Sequence, residues 1–98
     1  MKKSPFVLIA DDDRAWAEGM ADLFAAYGYD AEVIDGWLSP ECAGRSDFDV
    51  AFLDQKTNGV DSVSEIRRLK PQARIVMMGG ADAHLAFEHM LEIVETAA

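Results

Sequence analysis

Short apolar runs alternate with amphipathic segments along the whole chain. The first run, residues 6–10, is uninterrupted and contains branched side chains, which is typical of a strand buried on both faces. The third run, 50–53, has the same character. Shorter or more mixed runs at 31–34 and 74–78 predict two further strands, the one at 31–34 at a sheet edge. The pattern therefore predicts four strands.

The segments between these runs carry apolar residues three and four positions apart, which is typical of helices that bury one face. The clearest begins at Arg14 and ends before Gly28, and its apolar stripe consists of Trp16, Met20, Leu23, Phe24 and Tyr27. Ser39 followed by Pro40 predicts the N-cap and first turn of a short second helix that ends near Gly44.

Two further helices are predicted in the second half of the chain. Ser62 and Glu65 have the spacing of a capping box, which predicts a third helix running to Leu69. Asp82 is the expected N-cap of a last helix, whose apolar members are Leu85, Met90, Leu91 and Val94. His84 and His89 fall on this predicted helix about 140° apart, so we expect surface or interface roles and no shared metal.

Alternation of strand and helix predicts an α/β fold: an open parallel sheet, in the order 2-1-3-4, with helices on both faces and right-handed crossovers. With 98 residues, the chain is expected to form a single domain, residues 1–98. Half of its residues are apolar and 28% are charged, which is typical of a globular protein.

Charge and targeting signals restrict the partners and the location. The net charge of −9 disfavours direct nucleic-acid binding, which requires basic residues. Arg67, Arg68 and Lys70 form a local basic group, interpreted as a solvated helix face, with docking of an acidic partner as the alternative. The single cysteine, Cys42, excludes an internal disulfide, and no signal peptide or membrane span is evident, so a cytoplasmic location is expected.

Acidic side chains follow the first and third predicted strands directly. Asp11 and Asp12 end the first strand and Asp54 ends the third, so neighbouring parallel strands would deliver them into one crevice. Three close carboxylates repel one another unless they are protonated or bound to a cation, and an oxygen-only site suits Mg²⁺. The alternative is that the acids merely cap the following helix and turn.

Two motifs resemble those of bacterial response-regulator receiver domains of the chemotaxis-receiver kind. The run VLIADDD, residues 7–13, is similar to the family's first strand and acidic pair, and DVAFLD, residues 49–54, is similar to its third strand and phosphoacceptor. This resemblance implies a flavodoxin-like three-layer sandwich. It further implies that Asp54 accepts a phosphoryl group from a histidine kinase or phosphotransfer protein, and that Asp11, Asp12, Asp54 and the backbone carbonyl of Lys56 hold Mg²⁺.

The chain departs from the family pattern at three places. Gly79 stands at the switch position, where receivers have Thr or Ser; no residue aligns with the family's lysine; and the sequence lacks the fifth strand and helix. We therefore expect that the first strand and first helix lose part of their cover. Strand four becomes an exposed edge, which predicts that the protein forms a homodimer, or binds another partner, through strand four and the last helix.

The leading functional interpretation is a stand-alone, atypical receiver without an output domain, acting by protein–protein contact and not as an enzyme. An alternative is a phosphorylation-independent adaptor or dimerisation module. A Mg²⁺-dependent phosphatase of the haloacid-dehalogenase kind is a third interpretation, because Asp11 and Asp13 have the spacing of that family's nucleophile and acid. The chain as a fragment of a longer regulator is a fourth.

Overall fold

The computed structural model describes residues 4–79 and 84–97. Within them, four strands alternate with four helices, as the sequence predicts. In chain order they are β1 (Phe6–Asp11), α1 (Arg14–Ala26), β2 (Asp30–Asp35), α2 (Pro40–Gly44), β3 (Val50–Asp54), α3 (Val60–Leu69), β4 (Arg74–Met78) and α4 (Phe87–Thr96).

The four strands form one parallel sheet in the order β2-β1-β3-β4. The two central strands are those with uninterrupted apolar runs, because each is covered on both faces and has a neighbour on both sides. Their register pairs Ala10 with Leu53, so β1 and β3 end at the same edge of the sheet. The predicted α/β fold and strand order are confirmed.

Side chains that alternate along the central strands enter two different cores. Ile9 and Phe52 pack on the α1 side, together with Phe24 of α1 and Met90 of α4. Leu8 and Leu53 pack on the opposite side, with residues of α2 and α3. The result is a three-layer sandwich with the sheet in the middle.

The last helix lies on the α1 face of the sheet. The ring centroids of Phe24 and Phe87 are 4.9 Å apart, and Met90, Ile93 and Val94 are buried. The expectation that the first strand loses cover is wrong, because Val7 and Ile9 are 0% exposed. Helices α3 and α4 therefore lie on opposite faces of the sheet.

Two predicted helix starts differ from those observed. Helix α3 begins at Val60 after an N-cap at Gly59, so Ser62 lies inside it, where its hydroxyl accepts a hydrogen bond from Trp37 Nε1 at 3.1 Å. Helix α4 begins at Phe87, with Leu85 ahead of it, and the predicted cap Asp82 lies outside the described residues.

The other helix signals are confirmed. The Ser39 hydroxyl accepts a hydrogen bond from the Cys42 amide at 3.1 Å, and Pro40 opens α2. Helix α1 ends before Gly28, whose φ of 89° is readily adopted only by glycine. Within the described part of the chain, no helix combines the length and apolar character required to cross a membrane.

Candidate metal and phosphoacceptor site

Three carboxylates meet at the carboxyl edge of the sheet. Asp11 is the last residue of β1, Asp12 follows it, and Asp54 is the last residue of β3. One carboxylate oxygen from each lies within 4.8 Å of the others. The juxtaposition arises because adjacent parallel strands of matched register end at the same height, as the sequence predicts.

Asp11 is the most deeply buried of the three carboxylates, at 1% exposure. Its Oδ1 accepts a hydrogen bond from the Asp13 amide at 2.8 Å, and its Oδ2 lies 3.1 Å from Nε2 of His84. Burial raises the pKa of the Asp11 carboxyl above its ordinary value of 3.8, and the charge of Asp54 acts in the same direction. The hydrogen bond from Asp13 and the contact with His84 oppose this shift without cancelling it.

Asp13 has a different role from its two neighbours. It is the N-cap of α1, and its Oδ1 accepts a hydrogen bond from the Trp16 amide at 3.1 Å. Capping therefore accounts for one acid of the run. Asp11 and Asp12, which are not the cap, are left to face Asp54.

The Asp54 carboxylate is 8% exposed and is held by the turn that follows it. Its Oδ1 accepts a hydrogen bond from the Lys56 amide at 3.0 Å, and its Oδ2 accepts one from the Thr57 hydroxyl at 3.2 Å. Lys56 is exposed. These two donors, one a backbone amide and one a side-chain hydroxyl, belong to the same short segment and fix the rotation of the carboxylate.

Asn58 stabilises this turn through buried hydrogen bonds. It is 1% exposed, and its Oδ1 accepts a hydrogen bond from the Leu38 amide at 2.8 Å. Its Nδ2 lies within hydrogen-bond distance of the Asp54 carbonyl at 3.0 Å, the Gly36 carbonyl at 3.2 Å and the Thr57 hydroxyl at 3.3 Å. The sequence shows only an Asn-Gly turn here; the buried network depends on the loop after β2 lying against it.

Gly79 directly follows β4 at the same edge as the acids. A Cβ added there would lie 1.9 Å from Oε1 and 3.1 Å from Cδ of the Gln55 side chain. The amide of Gln55 therefore occupies the space that a side chain at position 79 would need. The absence of a side chain at Gly79 leaves room for the Gln55 amide, a contact that the sequence pattern does not reveal.

His84 is a member of the site that the sequence interpretation missed. It precedes α4, and its ring stacks on that of Trp16, with centroids 3.7 Å apart and planes at 5°. The interpretation placed it on the last helix. Because the helix starts at Phe87, His84 lies before it. Its contact with Asp11 places it at the edge of the sheet where the acids lie.

The donor set fits a hard divalent cation. Its three carboxylate oxygens are mutually close and two of the carboxylates are buried. Burial above all, with the charge of Asp54 as a smaller cause, raises the pKa of Asp11, and a bound cation would favour its ionised form. Mg²⁺ needs few protein carboxylates and keeps several waters, and Asp12 is exposed, so water has access to the site.

Comparison with solved structures places the fold. A CheY-like response regulator receiver domain from Methanospirillum hungatei JF-1 is 19% identical, with a TM-score of 0.68 over 98% of this chain and 78% of that one. The beryllofluoride-activated NtrC4 receiver domain dimer gives 17% identity and a TM-score of 0.73 over 94% of each chain. This chain has the receiver-domain fold.

A third structure with this fold, a response regulator from Burkholderia pseudomallei, is described with a phosphorylated aspartic acid, a calcium ion and citrate. It is 23% identical, with a TM-score of 0.65 over 92% of this chain and 55% of that one. No protein-family model and no curated protein sequence matches the chain. The likeness to receivers therefore concerns the fold, and the chemistry has to be argued from the site.

Proposed function

We propose that the chain is an atypical response-regulator receiver that binds Mg²⁺, accepts a phosphoryl group on Asp54 and acts through protein–protein contact. The observation that carries this proposal is the approach of one oxygen from each of Asp11, Asp12 and Asp54 to within 4.8 Å at the carboxyl edge of a receiver fold. Such an arrangement is unfavourable without a cation and is suited to phosphoryl transfer once a cation is present.

Four groups would hold the cation: the carboxylates of Asp11, Asp12 and Asp54, and the backbone carbonyl of Lys56. When bound, Mg²⁺ neutralises negative charge that builds on the phosphoryl oxygens during transfer. The protein contributes a fixed set of oxygens. The Asp13 amide orients Asp11, and the Lys56 amide and Thr57 hydroxyl orient Asp54.

The transfer step uses one oxygen of Asp54 as the nucleophile. This oxygen forms a bond to phosphorus as the bond to the donor breaks, which is a P–N bond in a phosphohistidine and a P–O bond in acetyl phosphate. The donor leaves with the electron pair: a phosphohistidine leaves as imidazole, whose freed nitrogen takes up a proton from solvent, and acetyl phosphate leaves as acetate. Asp54 becomes an acyl phosphate.

The environment of Gly79 favours a second candidate, a phosphorylation-independent adaptor. Receivers use a Thr or Ser hydroxyl at this position, and here the Gln55 amide fills the corresponding space. Among the described residues, Thr57 provides the one side-chain hydroxyl that donates to Asp54. A phosphoryl group on Asp54 would therefore be stabilised differently from that of a receiver with the usual switch residue.

The phosphatase interpretation is disfavoured by the position of Asp13. A phosphatase of that kind would use Asp13 as an acid beside the nucleophile Asp11. Asp13 instead caps α1, and its carboxylate accepts a hydrogen bond from the Trp16 amide. We therefore retain the receiver as the proposed function and describe the chain as a signalling module and not an enzyme.

A histidine kinase or a phosphotransfer protein is the proposed phosphoryl donor, and the cytoplasm is the proposed location. We also propose a homodimer through β4 and α4. In the described residues β4 pairs only with β3, so one side of its backbone lacks a strand partner. The NtrC4 receiver domain, which shares the fold, is described as a dimer.

Intact-mass measurement after incubation with acetyl phosphate and Mg²⁺ tests the phosphoacceptor. We expect a gain of one phosphoryl group in the wild type, none in Asp54→Asn, and an unchanged gain in Asp22→Asn, which alters an exposed acid on α1. Equal phosphorylation of Asp54→Asn and wild type would reject Asp54 as the acceptor. Failure of the wild type to gain mass, with Mg²⁺ still bound, would favour the adaptor.

Size-exclusion chromatography with light scattering tests the homodimer. We expect the mass to shift from that of a monomer towards that of a dimer as the protein concentration increases. A monomer at every concentration would contradict pairing through β4 and α4, without affecting the assignment of Asp54.

A further inference from the structure

His84 joins three parts of the molecule that are distant in sequence. Its Nε2 lies 3.1 Å from Oδ2 of Asp11, which is 73 positions away, and its ring stacks on Trp16 in the first turn of α1. An ionised carboxylate only accepts hydrogen bonds, so Nε2 carries the proton of this contact. The stacked indole holds the imidazole in the plane from which it donates.

Both oxygens of Asp11 consequently have a protein donor. The Asp13 amide donates to Oδ1 and His84 donates to Oδ2. Each carboxylate oxygen has two lone pairs, so each can accept one hydrogen bond and still bind a cation. Two donors on opposite oxygens fix the rotation of the carboxylate, and the deep burial of Asp11 leaves it little room to find another orientation.

We infer that His84 is a positioning residue for the cation: it acts through Asp11, and Trp16 supports it. The inference rests on the proposed Mg²⁺ site and assigns to this chain a residue that holds a metal ligand in place. Hydrogen-bond partners of metal ligands orient the ligand, and removing one typically weakens metal binding by about 10- to 100-fold.

Calorimetric titration of the 98-residue protein with Mg²⁺ tests this role with three variants. His84→Phe keeps an aromatic ring against Trp16 and removes the donor, so we expect Mg²⁺ binding to weaken by about 10-fold or more. His84→Gln restores an N–H donor, and we expect it to recover most of the affinity. His89→Ala removes the exposed histidine of α4 and should leave the affinity unchanged.

A purely structural role for His84 would not distinguish Phe from Gln in this way. If His84→Phe fails to fold, Trp16→Leu replaces it as the test: this variant removes the stacked ring and leaves His84 in place, and we expect weaker Mg²⁺ binding. Urea denaturation of every variant shows whether the protein compared is folded.

Three results would overturn the inference while the proposed function stands. These are equal Mg²⁺ affinity in His84→Phe and wild type, tighter binding in His84→Phe, and a strong preference of the wild type for Zn²⁺ that His84→Phe loses. The second would mean that His84 competes with the cation, and the third that it binds the metal directly. Absence of Mg²⁺ binding in the wild type rejects the proposed site and the inference together.

Discussion

The side-chain amide of Asn58 donates a hydrogen bond of 3.0 Å to the backbone carbonyl of Asp54, four residues earlier in the chain. The same side chain accepts a hydrogen bond from the Leu38 amide, so it connects the turn after β3 with the loop after β2. These two segments flank the acidic site. The buried side chain of Asn58, whose donor and acceptor groups are both hydrogen-bonded, therefore stabilises the turn that follows Asp54.

Asn58→Ala should destabilise the protein. The variant leaves the buried Leu38 amide without its acceptor, and we expect the free energy of unfolding to fall by about 2 kcal/mol. Urea denaturation measures this. Gln72→Ala, an exposed position, is the control and should change stability by less than about 0.5 kcal/mol. A loss no larger than that of the control would show that the network does not hold the fold.

Asp11→Asn should stabilise the protein at neutral pH in the absence of metal. Burial raises the pKa of the Asp11 carboxyl, so the folded protein binds this proton more tightly than the unfolded chain does. Between the ordinary pKa of 3.8 and the raised value, stability therefore increases as the pH falls. Above both values the full cost of the buried charge is present, and the amide removes that cost. Its oxygen can keep the hydrogen bond from the Asp13 amide, and its NH2 group donates to Nε2 of the other His84 tautomer.

Urea denaturation at several pH values checks this sign. We expect the advantage of Asp11→Asn over wild type to be largest near neutral pH and to shrink as the pH falls through the raised pKa of Asp11. Asp22→Asn is the matched control, because Asp22 is an exposed acid of α1 outside the acidic cluster and its substitution should change stability by less than about 0.5 kcal/mol. An advantage that grows on acidification would contradict the assignment.

Gly79→Ser should increase phosphoryl stabilisation, and the increase should be larger when the exposed Gln55 side chain is shortened as well. The added Cβ would lie 1.9 Å from Gln55 Oε1, so the amide has to move before a hydroxyl can be accommodated. We expect Gln55→Ala/Gly79→Ser to carry more phosphoryl group than Gly79→Ser at a fixed acetyl phosphate concentration. A hydrogen bond to a charged acceptor, at about 1.5 kcal/mol, corresponds to roughly a tenfold gain.

Intact-mass measurement over a time course gives the phosphorylated fraction, and Gln55→Ala alone serves as the control. Equal phosphorylation of Gly79→Ser and the double variant would show that Gln55 does not obstruct the position.

Ser39→Ala and Ser62→Ala should differ in their effect on stability. Ser39 caps α2 through the Cys42 amide, so its loss should cost about 1 kcal/mol. Ser62 lies within α3, and its hydroxyl accepts a hydrogen bond from Nε1 of the exposed Trp37. Its loss should therefore lower the free energy of unfolding by less than the loss of Ser39 does. Thermal or urea unfolding of the two variants provides the comparison. The reverse order would favour the capping box predicted from Ser62 and Glu65.

The sequence by itself determined the sheet and the acids at its edge. An uninterrupted apolar run is stable as a strand only when both faces are covered, so 6–10 and 50–53 had to be central and parallel. Their terminal acids then share one edge, whatever the details of packing. This is why the positions of Asp11, Asp12 and Asp54 could be predicted from local pattern alone.

Only the tertiary structure decided what surrounds those acids. The stack of His84 on Trp16, the Gln55 amide beside Gly79 and the buried Asn58 all depend on where one segment crosses another. Periodicity reports which face of an element is apolar, and it carries no information about a contact between residues 73 positions apart. The side of the sheet chosen by α4, which sets the path of His84, follows from the burial of Met90, Ile93 and Val94 against the α1 face.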